Sequence, residues 1–600
     1  MNTMTPRFDS SRVALSGVAV ALFGLLLVGC TTSASDDDPL RVSDNRTTAA
    51  MPAKTPWPHG AMVTAANPYA VDTGIRILKA GGSAVDAAIA THLVLGLVEP
   101  QSSGIGGGAF MLAYDRTNSA LDVIDGRETA PAGATADMFM VDGSAMKFME
   151  AWQSGIAIGT PGAVALYKEA HDGHGTLPWA DLFAPAIELA TEGFVVSARL
   201  NNLLGRIQRF SELDEHPDSA KYFYPDSEPL AVGVTRDNPA YAALLKRIAA
   251  EGPSAFYAGE VARAMAQAAT RQPRPGTLAP SDLAAYRALV RKPVCGGFRD
   301  MTLCSAPPPS SGLAQIMIVN LYDELLGDAD TATEEQRVRA FVDAQRLAYA
   351  DRDHFVGDPK FADVPTRALI DPTYIAARAK DRFAPTQTSR HGDLTAAFGE
   401  AAARWQFGPD TTQEIGGTTH FSIIDGNGNA VSMTATVEAP FGSSRFVHGF
   451  LLNNEMTDFS RDPGDGKAPA NLVQPGKRSR SSMSPTMVFD DDGELLLVNG
   501  SPGGNSIVAY VAKATLGVLA QGLTPQEAVD SPNIIARGDK VRVEIAGEEG
   551  KAAAAVLTAA GYEVQEREGE NSGLHMIQVT PDGLRGAADK RREGTVRTLP

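Results

Sequence analysis

The chain has 600 residues, of which 44 % are hydrophobic and 21 % charged, the proportions of a soluble globular protein long enough to bury a large core. Its formal net charge of -18 and the lack of a basic stripe exclude nonspecific nucleic-acid binding and point to a solvated acidic surface. No internal repeat of fixed period runs through it.

At the N-terminus, Arg7 and Arg12 precede an apolar run from Val13 to Val28 that is short for a membrane-spanning helix. A positive start, a short apolar segment and small residues describe an export signal over residues 1–29. Leu27-Val28-Gly29-Cys30 resembles the bacterial lipobox, which implies lipidation at Cys30 and a periplasm-facing membrane lipoprotein. Thr31, in place of an Asp after the cysteine, favours the outer membrane over the inner one. A plain signal peptide and an uncleaved anchor are the alternatives. Residues 30–57 are rich in Ser, Thr, Asp and Pro and read as a disordered tether.

Residues 67–100 show helical periodicity broken at Gly81-Gly82, with Ser83 as N-cap and Asp86 three residues later. The second of these helices is apolar almost all round and is expected to be buried. "GIGGGAFMLAYD" then runs from glycines into a strand, so it lacks the helix N-terminus that a nucleotide loop requires. Residues 160–290 read as mostly helical. "HDGHG" (171–175) reads as a polar loop, and with no His-Glu-x-x-His in the chain neither zinc nor another metal is expected.

"PVCGGFRDMTLCSAP" reads as two short strands around a turn that brings Cys295 and Cys304 near one another. An even pair in an exported chain can form a disulfide, but cross-strand pairs often fail the distance test, so the bridge stays open. Helices are expected after the proline turn at 305–311 and over 333–355, and a mobile polar loop over 385–415. Beyond 416 strands dominate, at 418–425, 430–437, 485–489 and 494–499. Helices near 505–521 and 549–561 and a closing hairpin follow, which together give an α+β layered protein.

The stretch "GGTTHFSIIDGNGNAVSMTATVEAP" (416–440) has the form of a hairpin with a three-residue loop, Gly426-Asn427-Gly428. That loop sets Thr418 opposite Thr436, His420 opposite Thr434 and Ser422 opposite Ser432. One face is small and polar, while Phe421, Ile423, Val431, Met433 and Val437 share the other and belong against a core. Threonine's strand propensity accounts for paired threonines without chemistry. It does not account for Gly416-Gly417, which let the backbone bend and leave the Gly417 carbonyl open to attack by a hydroxyl. Such an attack would cut the chain and make Thr418 an N-terminal residue. Its hydroxyl is then a nucleophile and its own α-amine the base.

"TTHFSIIDGNGNAVSMTATVEAPFGS", "GFLLNNEMTDFS", "KRSRSSMSPTMVF" and "NGSPGGNSI", together with "QSSGIGGGAFML", "DGRETAP" and "APPPSSG", resemble the γ-glutamyltranspeptidase family from about residue 57 to 595. The resemblance implies a four-layer αββα N-terminal-nucleophile hydrolase fold, with two antiparallel sheets between helical layers. It implies self-cleavage between Gly417 and Thr418 into a large subunit (58–417) and a small catalytic one (418–600) that stay together as a heterodimer. Thr418 becomes the nucleophile, Thr436 orients it, and Gly503 and Gly504 supply N–H groups to the oxyanion. Arg127, Ser481 and Ser482 are implied to hold the α-carboxylate of a γ-glutamyl group, and Asp458 with Glu455 its α-ammonium. The implied activity needs no cofactor: the γ-glutamyl amide of glutathione or a related donor is cleaved through a threonine ester, which passes to water, an amino acid or a peptide.

Two residues after Thr436, many family members carry Asn, whereas this chain has Glu438, an added negative charge beside the pocket. The change puts strict glutathione preference in doubt and keeps a branch acting on other acyl groups, such as glutaryl amides of β-lactams, as the rival. A non-catalytic periplasmic lipoprotein is the remaining alternative. The stretch 460–478 is where the family places a lid.

Overall fold

The computed structural model describes residues 56–600 apart from Pro273, Arg382, Thr411, Gln413 and Asp465. The expected export signal, Cys30 and nearly all of the tether lie outside the described residues. Strands of two main sheets appear, in chain order, as β1 (Ala61–Ala65), β2 (Gly108–Asp115), β3 (Ala120–Gly126), β4 (Leu289–Arg291), β5 (Val294–Phe298), β6 (Met301–Ser305), β7 (Gly417–Ile424), β8 (Ala430–Glu438), β9 (Thr486–Phe489), β10 (Leu495–Asn499), β11 (His575–Thr580), β12 (Gly583–Ala588) and β13 (Thr595–Leu599). The first sheet has the order β13-β1-β7-β8-β2-β3-β4 and the second β12-β11-β10-β9-β6-β5. Every pairing in both is antiparallel.

Alternation along β7 and β8 decides what each face meets. Phe421, Ile423, Val431 and Met433 face helix α2 (Ala84–Val98), while α1 (Pro68–Lys79) covers β1 and β13 and α3 (Ala163–His174) covers β2 and β3, all in one core with Val71, Ile89, Leu93 and Leu166. Each such side chain contributes about 1.5–3 kcal/mol on burial. Ser83 caps α2 with the expected capping box to Asp86, and apart from Gly96 every residue of α2 is buried. His171 and His174 form the last turn of α3, so the sequence expectation of a loop there is corrected: the histidines continue a helix that closes at Gly175.

The opposite face of β7 and β8 lies on the second sheet. At one end the contact is apolar: Met62, Phe110, Leu112 and Ile424 meet Met487, Phe489, Val498 and Ile577. At the other end it is polar and hydrogen-bonded. The Ser422 hydroxyl donates to His575 O at 2.9 Å, and the Ser432 hydroxyl to Asn499 O at 3.0 Å. Helix α4 (Gly312–Leu326) packs on β5 and β6 of the second sheet, with α5 (Glu334–Phe355) and α6 (Ile507–Leu519) against α4.

Cys295 and Cys304 sit directly opposite each other on β5 and β6, with Cα atoms 4.1 Å apart, and form a disulfide. The antiparallel register settles what the sequence left open. The segment 385–415 also holds more regular structure than its weak periodicity suggested, with a helix at Leu394–Phe398 and a 3-10 turn at Glu400–Arg404.

Candidate active site

The hairpin register is the expected one from Thr418 onward, and Gly428 takes the left-handed position of its loop at φ +81. It breaks one step earlier. A bulge places Gly417 opposite Glu438, leaving Val437 as the extra residue, and Glu438 adopts φ +76. That conformation costs a residue with a Cβ roughly 1–2 kcal/mol, and bulges of this kind re-aim groups beside functional sites.

Three atoms are brought together as a result. Glu438 N–H donates to Thr436 Oγ1 at 2.8 Å. The Thr436 hydroxyl donates to the Gly417 carbonyl, also at 2.8 Å. Thr418 Oγ1 lies 3.3 Å from Thr436 Oγ1. The carbonyl next to the Gly417–Thr418 bond is therefore polarised by one hydroxyl and flanked by another, and both threonines are buried. Gly417 is required here, because a Cβ would lie 2.5 Å from the backbone of Ala439. Gly503 and Gly504 lie against the same segment: a Cβ on Gly416 would meet Gly503 C at 3.0 Å and Gly504 N at 3.1 Å.

Two neighbours had no signal in the sequence. Arg592 donates to Thr418 O at 2.8 Å, and Asn571 reaches Gly416 O at 3.5 Å. Burial lowers the Arg592 guanidinium to about 9. Both residues come more than 150 positions after the hairpin begins, in no recognisable motif.

The charged residues gather on the other side. Arg127 is 1 % exposed and is bonded to Glu455, to Asp458 at 2.7 Å, and to the carbonyls of Arg480 at 2.8 Å and Ser479 at 3.2 Å. Glu128 stands 3.6 Å away. One guanidinium thus faces three buried acids. Burial raises the Glu128 carboxyl to about 7; burial, with repulsion from Glu128 and Glu438, pushes Glu455 well above the ordinary carboxylate range, and burial, with repulsion from Glu455 and Glu414, does the same to Asp458.

Glu438 is 2 % exposed and accepts from Asn454 Nδ2 and from Ile415 N–H at 3.3 Å. Burial, then Asp458, raises its pKa well above the ordinary carboxylate range. Ser482 N–H donates to Glu414 Oε2 at 2.8 Å, and Ser482 Oγ accepts from Arg352 at 2.8 Å. Ser481 holds the loop itself, donating its N–H to Pro309 O at 2.8 Å. Apart from Ser481, whose bonds go to Pro309, Ser311 and Met483, the residues that the sequence singled out in the catalytic and binding sets touch one another or the 414–418 segment, while the cysteine pair lies on the second sheet.

A buried threonine heading a central strand behind two glycines, between two antiparallel sheets, defines the class of N-terminal-nucleophile hydrolases. Within that class the chain belongs to the gamma-glutamyltranspeptidase family, whose model matches residues 70–599. A glutathione hydrolase proenzyme of Escherichia coli (strain K12) is 36% identical over 552 residues, covering 88% of this chain and 90% of that one. An acylase ACY 1 proenzyme of Pseudomonas sp. (strain V22) is 35% identical, over 89% of this chain and 92% of its own. Among solved structures, a cephalosporin acylase from Bacillus halodurans matches with a TM-score of 0.78 at 26% identity, covering 93% of this chain and 100% of that one.

Proposed function

We propose that this chain is the precursor of a γ-glutamyl transferase and glutathione hydrolase that cuts itself between Gly417 and Thr418. The observation that carries the reading is the contact of Thr436 Oγ1 with both the Gly417 carbonyl and Thr418 Oγ1. Thr418 Oγ attacks that carbonyl, the C–N bond breaks, and the leaving nitrogen takes a proton to become the α-amine of Thr418. Water then hydrolyses the resulting ester. In the cut protein the same hydroxyl, with the α-amine as base, attacks the γ-amide of glutathione or a related donor. The γ-glutamyl ester passes to water, an amino acid or a peptide. Gly503 and Gly504 serve the oxyanion, and Arg127, Ser481 and Ser482 the α-carboxylate.

The acid cluster favours a γ-glutamyl over a glutaryl group. Glu128, Glu455 and Asp458 crowd carboxyl oxygens around the single Arg127, and these can accept hydrogen bonds from an incoming α-ammonium, whereas a glutaryl group brings no such donor. Strands of the two pieces interleave in the first sheet, β7 and β8 lying between β1 and β2, which supports their staying together as a heterodimer of 58–417 and 418–600. The αββα four-layer arrangement, the export signal over 1–29, the lipid on Cys30, the 30–57 tether and a periplasm-facing outer-membrane location belong to the same reading.

A denaturing gel tests it. The purified protein is expected to run as two bands, the smaller beginning at Thr418, and Thr418→Ala as one band without activity. Cutting of that variant at the same bond removes Thr418 from its role. Release of the amine from a γ-glutamyl anilide is expected; turnover of a glutaryl analogue alone replaces the donor with that of the acylase branch.

A further inference from the structure

One carboxylate in the site has no part in the chemistry above. Glu414 lies four residues before Thr418 and is 7 % exposed. Its carboxylate is bonded to Arg352, accepts from Ser482 N–H at 2.8 Å, and has Arg480 Nε at 3.6 Å. Its backbone carbonyl accepts from Asn505 N–H at 3.2 Å. Gly504, at φ +55, lies so close that a Cβ there would stand 2.6 Å from that carbonyl. The Glu414 side chain and main chain thus pin the segment leading into Gly417 at two points.

Charge counting sharpens the picture. Arg352 pairs with Asp353 at 2.8 Å, Arg537 with Asp353 at 2.8 Å, and Arg480 with Asp410 at 2.9 Å. With Glu414 in place, three guanidinium groups meet three carboxylates. Without it, one positive charge is left over in a buried cluster, facing the free N–H of Ser482. Such a site requires an anion, because an uncompensated buried charge is strongly unfavourable.

We propose that Glu414 occupies, in the uncut chain, the seat that takes the substrate's α-carboxylate after cleavage, and that Arg352 and Ser482 N–H pass from one carboxylate to the other. The inference rests on the γ-glutamyl reading, which places a substrate carboxylate at Ser482. It makes Arg352 a binding residue and Glu414 a positioning residue that holds Gly417 in register until the bond is cut. The departing segment then empties the seat it has kept closed.

The test uses full-length chains that stay uncut, with free L-glutamate as the probe in calorimetric titration. Thr418→Ala is expected to show no saturable binding. Thr418→Ala/Glu414→Ala is expected to bind, at least about tenfold tighter than the single variant. Adding Arg352→Met is expected to abolish the gain, and 4-aminobutyrate, which lacks the α-carboxylate, is expected to bind to none of them. An ion pair with only a structural role predicts lower stability and no gain of binding. A folded double variant that binds no glutamate overturns the proposal, and retained binding after Arg352→Met removes Arg352 from it. Where the alanine does not fold, Glu414→Gln keeps the shape, loses the charge and is expected to move binding in the same direction. If the wild-type cut protein releases no amine from a γ-glutamyl anilide, the function itself falls. If it does so while the double variant fails to bind, only this inference falls.

Discussion

The two faces of the β7–β8 hairpin are equally buried and do opposite work. Phe421, Ile423, Val431 and Met433 meet helices through dispersion and apolar burial alone. Thr418, His420, Ser422, Ser432, Thr434 and Thr436 form a face of directed bonds: His420 reaches Thr434 at 2.9 Å and Ser422 at 3.1 Å within the hairpin, and Ser422 and Ser432 bond across to the second sheet. The first face tolerates other apolar side chains of similar volume. The second requires each polar atom to find its partner, because an unmet one in that interior is costly. The strand is fixed to its helices on one side, and the hydroxyls on the other are held by hydrogen bonds.

Substitutions on the two faces are expected to separate cutting from stability. Thr436→Val keeps the shape of the polar face and removes the donor to the Gly417 carbonyl. Self-cleavage, followed by the appearance of the small fragment on a gel, is expected to slow by about 10²–10³, the usual effect of losing an oxyanion donor. Phe421→Ala is the counterpart on the apolar face. In a Thr418→Ala background it is expected to lower unfolding free energy by about 3–5 kcal/mol in a denaturant titration. In an otherwise wild-type chain, the folded fraction is expected to cut at close to the normal rate. A Phe421→Ala chain that is stable but cannot cut would break the division between the faces.

The smallest effect is a pH slope. Burial lowers His575 to about 4 and holds His420 well below its ordinary value. Folded-state values below the unfolded value of about 6.5 mean that the unfolded chain takes up the proton first. Their contribution is therefore intact above pH 6.5 and is lost as pH falls toward 4. The raised carboxyls Glu438, Glu455 and Asp458 respond in the opposite sense, so the informative quantity is a difference between variants. Against Thr418→Ala alone, Thr418→Ala/His575→Gln is expected to lose up to about 1.4 kcal/mol of stability change per pH unit across that window.

Much of the hairpin was legible because a strand has a period of two and a three-residue loop fixes which residues face each other. The sequence therefore yielded the Thr418–Thr436 pair and both faces. It did not yield the bulge at Gly417, where Glu438 adopts a left-handed conformation and is held by Asn454 and Ile415, partners far from it in the chain. That the polar face would be covered was equally hidden, since alternation looks the same beneath water and beneath another sheet. Arg127, Asp458 and the serines were readable only through family motifs. Glu414, Arg352 and Arg592 were not readable, because their meaning lies in contacts spanning 62 to 174 residues of chain.

The order of strands in the first sheet has a genetic consequence. β7 and β8 sit between β1 on one side and β2 on the other, while β13 closes the far edge beyond β1. Once the bond is cut as proposed, neither fragment can leave without unzipping four rows of main-chain hydrogen bonds, three in this sheet and the β6–β9 pairing in the second, so partners are not traded between molecules. Each mature heterodimer inherits both halves from a single translation product. Two mutant alleles, one damaged before residue 417 and one after it, are therefore expected not to complement each other when their finished proteins are mixed.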